Sequence, residues 1–460
     1  MSPAATAPRV LIVSYWFAPF STIAAIRASK LAKHLIDQGW DVRVLTAGDT
    51  ATNATLQLEV PRSVVTYTKW DRVGRHLEDI RARLRAAIGK KAAEAEPAPP
   101  SNDAPPQSAT KQKSAFRQAL STAYLDIVEW PDNRAGWKKY ALEAGAKIVK
   151  EWRPDVIYAT SPPATALIVA DKLSRTTGIP WVGEMRDLWT DHPYYEHSRL
   201  RLALERIWDQ RVLSRAAAIV TVSPGWRQRL MDRYARPVVV AMNGFVAADF
   251  PKAPPHPPET TGPLRIVFTG HIYTGYRDPS PLFEALRDLR LSPQDVLVEF
   301  VGAKDKAVRE FAERFGLTNH IRVHPTVPYT RALEIQLGAD VLLHMQWCDP
   351  KEHGTIAGKI FDYLGARRPI LGIALEDCVV ADLVRERGAG LVTNDAKKIA
   401  VQVQRWLTEK RQGGIPPLPP SASEGLERSL QFEKIAALLT NVVAAQPGSA
   451  RANRLSSVRS

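Results

Sequence analysis

Cysteine is nearly missing from this sequence: 460 residues carry two, Cys348 and Cys378. Two cysteines cannot build a disulfide framework, and the lack of a CxxC pair removes the usual zinc-site spacing. A reducing compartment fits this usage. No run reaches the roughly 20 apolar residues of a membrane-spanning helix, so any membrane role has to be peripheral. The first apolar run, 10–20, has no cationic leader and no small-residue cleavage site, so it is not read as a secretory signal. The expected location is the cytoplasm, with peripheral attachment to the inner face of the cell membrane as an added option. No Asp-x-Asp cluster occurs, and no metal or other cofactor is expected. The loop YWFAPFST after the first strand lacks GxGxxG, which argues against a dinucleotide enzyme. No recognition helix or aromatic–basic strand pattern marks nucleic-acid binding, and none is expected.

What is present is an ordinary globular composition, with 45% apolar residues and a net charge of +14. The positive balance favours anionic partners without choosing among them. The length exceeds a single ordinary core, so two domains are expected. Residues 9–14, RVLIVS, read as a buried parallel strand. The loop YWFAPFST, a helix ending at Gly39 and the strand DVRVLTAG complete a βαβ unit. Further strands are expected at 153–162, 181–184, 216–225 and 238–245, with helices at 135–152 and 164–176. The segment 250–263 holds six prolines and no periodicity, and marks a domain boundary. LRIVFTG at 264–270 then restarts the program. Strands follow at 296–302, 320–327, 339–346, 368–374 and 388–393, with a short helix at 358–367. The predicted class is α/β, two Rossmann-like domains facing across a cleft. The domains are 1–250, with a low-complexity insertion near 93–109, and 264–421. A helix at 422–444 is expected to pack back towards the N-terminal domain, before a disordered tail at 445–460. One doubly wound domain with an unrelated partner is the alternative.

Three stretches resemble a retaining GT-B glycosyltransferase of family 4, the group 1 glycosyl transferases. The first is VLIVSYWFAPF with the helix of Arg27 and then GWDVRVLTAG. The second is DVIYATSPPATALIVADKLSRTTGIPWVGEMRDLW at 155–189. The third is RIVFTGHIYTGYRDPSPLFEAL with GTIAGKIFDYLGARRPILGI. The resemblance covers most of 9–444 apart from roughly 71–130. It implies a sugar nucleotide bound largely by the C-terminal domain and an acceptor seated mainly on the N-terminal one.

Residue by residue, the resemblance places a donor site on the second half. Such a site needs cations for a diphosphate. Arg277 is the first candidate, in a loop with His271, Tyr273 and Tyr276; a solvated loop arginine is the plain reading. Lys359 follows Gly358 in the first turn of a helix, where a cation opposes the helix dipole and calls for a compensating anion. Asp362, one turn on, shares its face and matches the acid that accepts the ribose hydroxyls. The partner acid of the family pattern would fall at Gly354, so this sequence carries a shortened acid motif. Glu352 is near but out of phase, and Thr355 lies in the same loop. Val327 and Tyr329 stand where the family frames the nucleobase, with core packing the equal alternative for Val327.

On the first half, Ser21 and Thr22 stand where relatives carry glycines, suited either to capping a helix or to touching phosphate. Arg27 either reaches the cleft or faces solvent. Arg186 and Asp187 align with an HD or RD pair, Asp187 being the candidate to orient an acceptor hydroxyl. The side taken by Glu184 depends on register. Ser161, His192 and Tyr194 are loop candidates for the acceptor pocket.

The implied activity is transfer of a hexose-type sugar from a nucleoside diphosphate sugar to a glycan or lipid-linked glycan, in surface polysaccharide or cell-envelope assembly. Asp187, Arg277 and Lys359 would carry catalysis. The basic stretch 72–91 would dock on anionic lipid. A nucleotide-sugar epimerase or hydrolase, and a non-catalytic scaffold with a decayed donor site, are the rivals.

Overall fold

β1 (Arg9–Ser14) is buried along nearly its whole length, which only a central strand covered on both faces allows. It leads into α1 (Ile23–Asp37), which Thr22 caps by accepting from the Ala25 amide at 3.1 Å. Gly39 turns the chain at φ +82° into β2 (Asp41–Ala47). The computed structural model describes residues 7–48, 56–71, 130–195, 197–252, 261–273, 275–303 and 305–446. The basic stretch 72–91, the low-complexity stretch 93–109 and all of the expected tail beyond 446 lie outside them.

The first half continues with β3 (Val65–Thr68), α2 (Lys138–Trp152), β4 (Val156–Ser161), α3 (Thr165–Thr177) and β5 (Trp181–Met185). Then come α4 (Arg199–Leu213), β6 (Ala218–Thr221), α5 (Arg227–Tyr234) and β7 (Val238–Val240). The second half has β8 (Leu264–Thr269), α6 (Ser280–Asp288), β9 (Val296–Val301), α7 (Asp305–Arg314), β10 (Ile321–His324) and α8 (Tyr329–Leu337). It goes on with β11 (Val341–Met345), α9 (Lys359–Gly365), β12 (Ile370–Ile373), α10 (Val379–Glu386), β13 (Gly390–Val392) and α11 (Ala396–Arg411). The last helix is α12 (Arg428–Ala444).

The strand orders are β3-β2-β1-β4-β5-β6-β7 and β10-β9-β8-β11-β12-β13. The paired strands run parallel in both sheets. Two Rossmann-like domains are therefore present. In each, the order reverses beside the first strand, between β1 and β4 and between β8 and β11. Those reversals open a crevice at the carboxyl ends of the strands, where open α/β sheets bind ligands.

Four elements escaped the sequence patterns. β3 is a four-residue edge strand, too short to show periodicity. α10 and α11 bury apolar faces that the reading did not resolve. α4 was missed because its pattern is inverted, burying charge and exposing leucine.

The chain crosses between the halves twice, along neighbouring paths. Phe245 N donates to Leu426 O at 3.1 Å, and Arg428 N donates to Phe245 O at 2.8 Å. Gly244, at φ +66°, lets them meet: a Cβ there would lie 2.8 Å from the Arg428 backbone. Beyond this crossing α12 turns back, and Phe432, Ile435, Leu439 and Val443 join the core around Val10, Ile12 and Leu35.

Candidate functional site

The second reversal is where cations gather. β8 is followed by Gly270, whose φ is +126°. A Cβ on Gly270 would sit 2.6 Å from Lys359 Nζ, so glycine makes room for the ammonium. Lys359 opens α9, donates to Thr269 O at 2.8 Å and lies 4.4 Å from the Phe268 ring centroid. These contacts supply part of the compensation its place at a helix N-terminus demands. Arg277 donates to His271 O at 2.8 Å and stacks 4.5 Å over Tyr273. His271 is exposed at the rim, while Tyr273, Tyr276 and Arg277 are half-buried.

Beneath these cations lies His344, on β11 and 1% exposed. Burial, reinforced by Lys359 and Arg277, pushes its pKa down to about 3, so the ring is neutral. Both ring nitrogens, Gln346 Oε1 and Glu352 Oε1 are buried and lack a hydrogen bond of good geometry, Gln346 lying beside the ring. Unpaired buried polar atoms are costly and rare, and their concentration at one strand end makes it the candidate ligand site. Gln346 Nε2 donates to the carbonyls of Glu352 and Thr355 at 2.9 and 3.2 Å, and to Glu352 Oε2 at 3.2 Å. Burial raises the Glu352 carboxyl above its ordinary value, against the pull of Tyr194, Thr355 and Gln346.

Asp362 accepts from the Tyr329 hydroxyl at 3.0 Å, joining two residues that the sequence placed around the nucleoside. Burial pushes its pKa up to about 6, opposed by Tyr329 and Arg428. Arg428, on the crossing segment, donates to the carbonyls of Asn243 and Gly244 at 3.1 and 3.0 Å. Val327 is half-buried and packs against the core that includes Phe361 and Leu364.

The first half meets this surface with aromatic rings. Tyr194 stacks on Trp347 at 5.6 Å, and Tyr276 stands edge-on to both. Asp187, half-buried at the end of β5, adds to the rise of Glu352 across the cleft. Trp226 packs onto Gly354 so closely that a Cβ there would lie 2.1 Å from the indole nitrogen. The acid missing from the motif is thus excluded by a residue of the other half. Gly354→Glu is expected to destabilise the fold by about 1–3 kcal/mol through overpacking. A melting curve as wild type, with unchanged Trp fluorescence, would contradict this packing.

Residues 24–244 match the glycosyl transferase 4-like domain. No curated protein matches the chain. Among solved structures, a sucrose-phosphate synthase from Thermosynechococcus elongatus aligns with TM-score 0.60 and 14% identity, over 96% of this chain and 100% of that one. A glycosyltransferase from Rickettsia africae gives 0.57 and 12%, over 96% and 100%. Anabaena HepE in complex with UDP-glucose gives 0.57 and 13%, over 94% and 99%. The two Rossmann-like domains therefore form a GT-B fold.

Within that GT-B frame, the remaining residues of the first half take structural positions. Thr22 caps α1 and Ser21 is exposed beside it. Arg27 is not offered to cleft or solvent. It is 4% exposed and donates to Glu184 Oε1, to Ala241 O and to Met242 O. Register turns Glu184 inward, where it also accepts from Thr160 at 2.6 Å. Ser161 is buried, with its carbonyl holding the Arg186 amide. Arg186 donates to Thr160 Oγ1 and Pro162 O, bracing the strand end behind Asp187. His192 and Tyr194 share the loop after β5, their rings 5.5 Å apart. Among the described residues, no three His, Cys, Asp or Glu side chains converge as metal ligands, and no helix is long and apolar enough to cross a membrane.

Sequence reasoning missed His344, Trp347, Trp226 and Arg428. His344 on β11 and Gln346 just beyond it alternate in a run that reads as plain core. The partnership of Trp226 with Gly354 spans more than a hundred residues and leaves no local trace.

Proposed function

We propose that this protein transfers a sugar from a nucleoside diphosphate sugar to a glycan or lipid-linked glycan acceptor, with retention of configuration. The observation that carries this reading is the pairing of Lys359 and Arg277 above the buried polar atoms of His344, Gln346 and Glu352. The cations suit a diphosphate, and the polar atoms suit the hydroxyls of a sugar. HepE, of the same fold, is seen with UDP-glucose. The match of the first half to a glycosyl transferase 4-like domain points the same way. A role in surface polysaccharide or cell-envelope assembly, and a hexose as the moiety transferred, belong to this proposal.

In this reading Lys359 and Arg277 hold the leaving diphosphate, and Asp362 accepts the ribose hydroxyls. Glu352 serves the sugar in place of an acid at position 354. Asp187 orients the acceptor hydroxyl. The acceptor oxygen attacks the anomeric carbon from the face the diphosphate leaves. One C–O bond forms as the bond to phosphate breaks, and the departing phosphate oxygen takes the acceptor proton. The alternative double displacement needs a carboxylate nucleophile at the anomeric carbon. Electrostatic stabilisation and positioning are then the protein's main contributions.

The test is a thermal-shift panel of UDP- and GDP-sugars, followed by turnover on candidate acceptors. Absence of any shift at millimolar concentration would overturn the reading in favour of a scaffold. Free sugar or an epimer formed without acceptor would favour the hydrolase or epimerase rival. The raised pKa of Asp362 adds a pH signature. Its ionised fraction climbs as pH rises through about 6, so affinity for a UDP-sugar should strengthen from pH 5 to 7. Asp362→Asn should abolish that slope, and a slope that survives would remove Asp362 from the ribose.

A further inference from the structure

The helix α4 is built inside out. Its sequence, RLRLALERIWDQRVL, places Arg201, Glu205 and Asp209 on the buried side, at 3%, 1% and 0% exposure. Each of these charges has partners. Arg201 Nε donates to Glu205 at 2.6 Å. Asp209 accepts from Thr190, Arg233 and Tyr234. The inner face of this helix is therefore mainly polar, with Val212 and Leu213 its buried apolar residues at the C-terminal end.

The apolar stripe is on the outside. Leu200, Leu204 and Ile207 are 72%, 48% and 50% exposed. Spaced by four and then three residues, they form one ridge about 10 Å long. The ionisable side chains exposed on this helix are all arginines: Arg199, Arg206 and Arg211. Both acids face inward. Arg206 and the neighbouring Arg229 share Asp191, which is largely buried behind them.

We infer that this face of α4 docks on an anionic lipid surface. An aliphatic ridge flanked by arginines, with Asp191 the acid paired behind Arg206, is the composition of an interfacial helix. The aliphatics enter the headgroup–acyl boundary, and guanidinium groups bond lipid phosphates in their planar fork geometry. The charge of the whole chain, +14, has the same sign. An interior that buries three charges also removes the folding reason for leucine at 200 and 204. α4 is the next element after the segment that carries Asp187 and Tyr194, which puts the docked helix close in the chain to the acceptor-side candidates. The consequence that the acceptor is presented from a bilayer rests on the transferase reading above.

The experiment is co-sedimentation of the full chain with vesicles of phosphatidylcholine alone and of phosphatidylcholine with 30 mol% phosphatidylglycerol. The wild type should bind the anionic vesicles at least tenfold more tightly. Leu200→Ser, Leu204→Ser and Ile207→Ser together should lower that binding at least tenfold, with the melting temperature unchanged. Arg199→Gln, Arg206→Gln and Arg211→Gln together should remove the preference for anionic lipid. A wild type that ignores anionic vesicles, or a serine variant that binds them equally, would overturn the inference. So would a serine variant that changes only sedimentation in solution, since the face would then cover a second copy of the chain. A UDP-sugar thermal shift on the same variants keeps the two readings apart. Loss of vesicle binding in a protein that binds no sugar nucleotide would retain the docking face and sink the transferase.

Discussion

Lys359→Ala is expected to lower kcat/KM for sugar transfer by about 10²–10³-fold, the usual cost of one donor aimed at developing charge. The ammonium lies in the crook made by Gly270, held by Thr269 O at 2.8 Å, at the reversal of the second sheet. In the proposed reaction a diphosphate leaving group gains charge at that point. The loss should appear in kcat as well as in KM, because the interaction strengthens as the bond to phosphate breaks. The melting temperature of the unliganded protein should move little, since Lys359 is half-exposed and its bond to Thr269 O is modest. A second readout separates a purely structural role. The UDP-sugar thermal shift should shrink in Lys359→Ala and recover partly in Lys359→Arg. Full activity in Lys359→Ala would remove this residue from the donor site.

Arg27→Ala should instead strike the fold, by about 3–5 kcal/mol, the cost of orphaning one member of a buried ion pair. Arg27 and Glu184 are 4% and 1% exposed, with nitrogen and oxygen 2.8 Å apart. The guanidinium also satisfies the carbonyls of Ala241 and Met242 and lies 5.5 Å over Phe432. It therefore ties α1 and β5 to the segment after β7 and to α12. Burial alone would raise the Glu184 carboxyl, yet Arg27 and Arg186 hold it below its ordinary value. A carboxyl lowered in the folded state stabilises above its unfolded pKa, and that contribution fades as pH falls through the folded value. The deficit of Arg27→Ala should therefore narrow in acid. Adding Glu184→Gln should recover part of the loss at neutral pH, because the orphaned charge is gone. Chemical denaturation of the three variants measures both effects. A single variant within 1 kcal/mol of wild type would show that the pair is dispensable.

These two residues show how far the sequence reached. Lys359 was legible because its signal is local: a glycine, a lysine and an acid at helical spacing, beside a strand that restarts a domain. Arg27 was not. A lone arginine inside a helical pattern reads as cleft or solvent, and only the register of β5 and the return of α12 enclose it. Glu184 had the same ambiguity, since one step of register turns a strand side chain to the other face.

The strand–loop–helix units and the two-domain architecture follow from the sequence alone. Burial of parallel strands leaves continuous apolar runs, and helix ends leave glycine and capping residues, all within a few residues of each other. The cations Arg277 and Lys359 were visible for the same reason. What tertiary structure decided lies between distant segments. It set Trp226 against Gly354, and so explains the gap in the acid motif. It brought Glu352 under Tyr194 and beside Asp187. It buried His344 beneath Lys359 and Arg277, and it turned α4 so that Arg201, Glu205 and Asp209 face in and Leu200, Leu204 and Ile207 face out. Such choices depend on which surfaces meet once the sheets are formed, and the spacing of neighbouring residues carries no record of them.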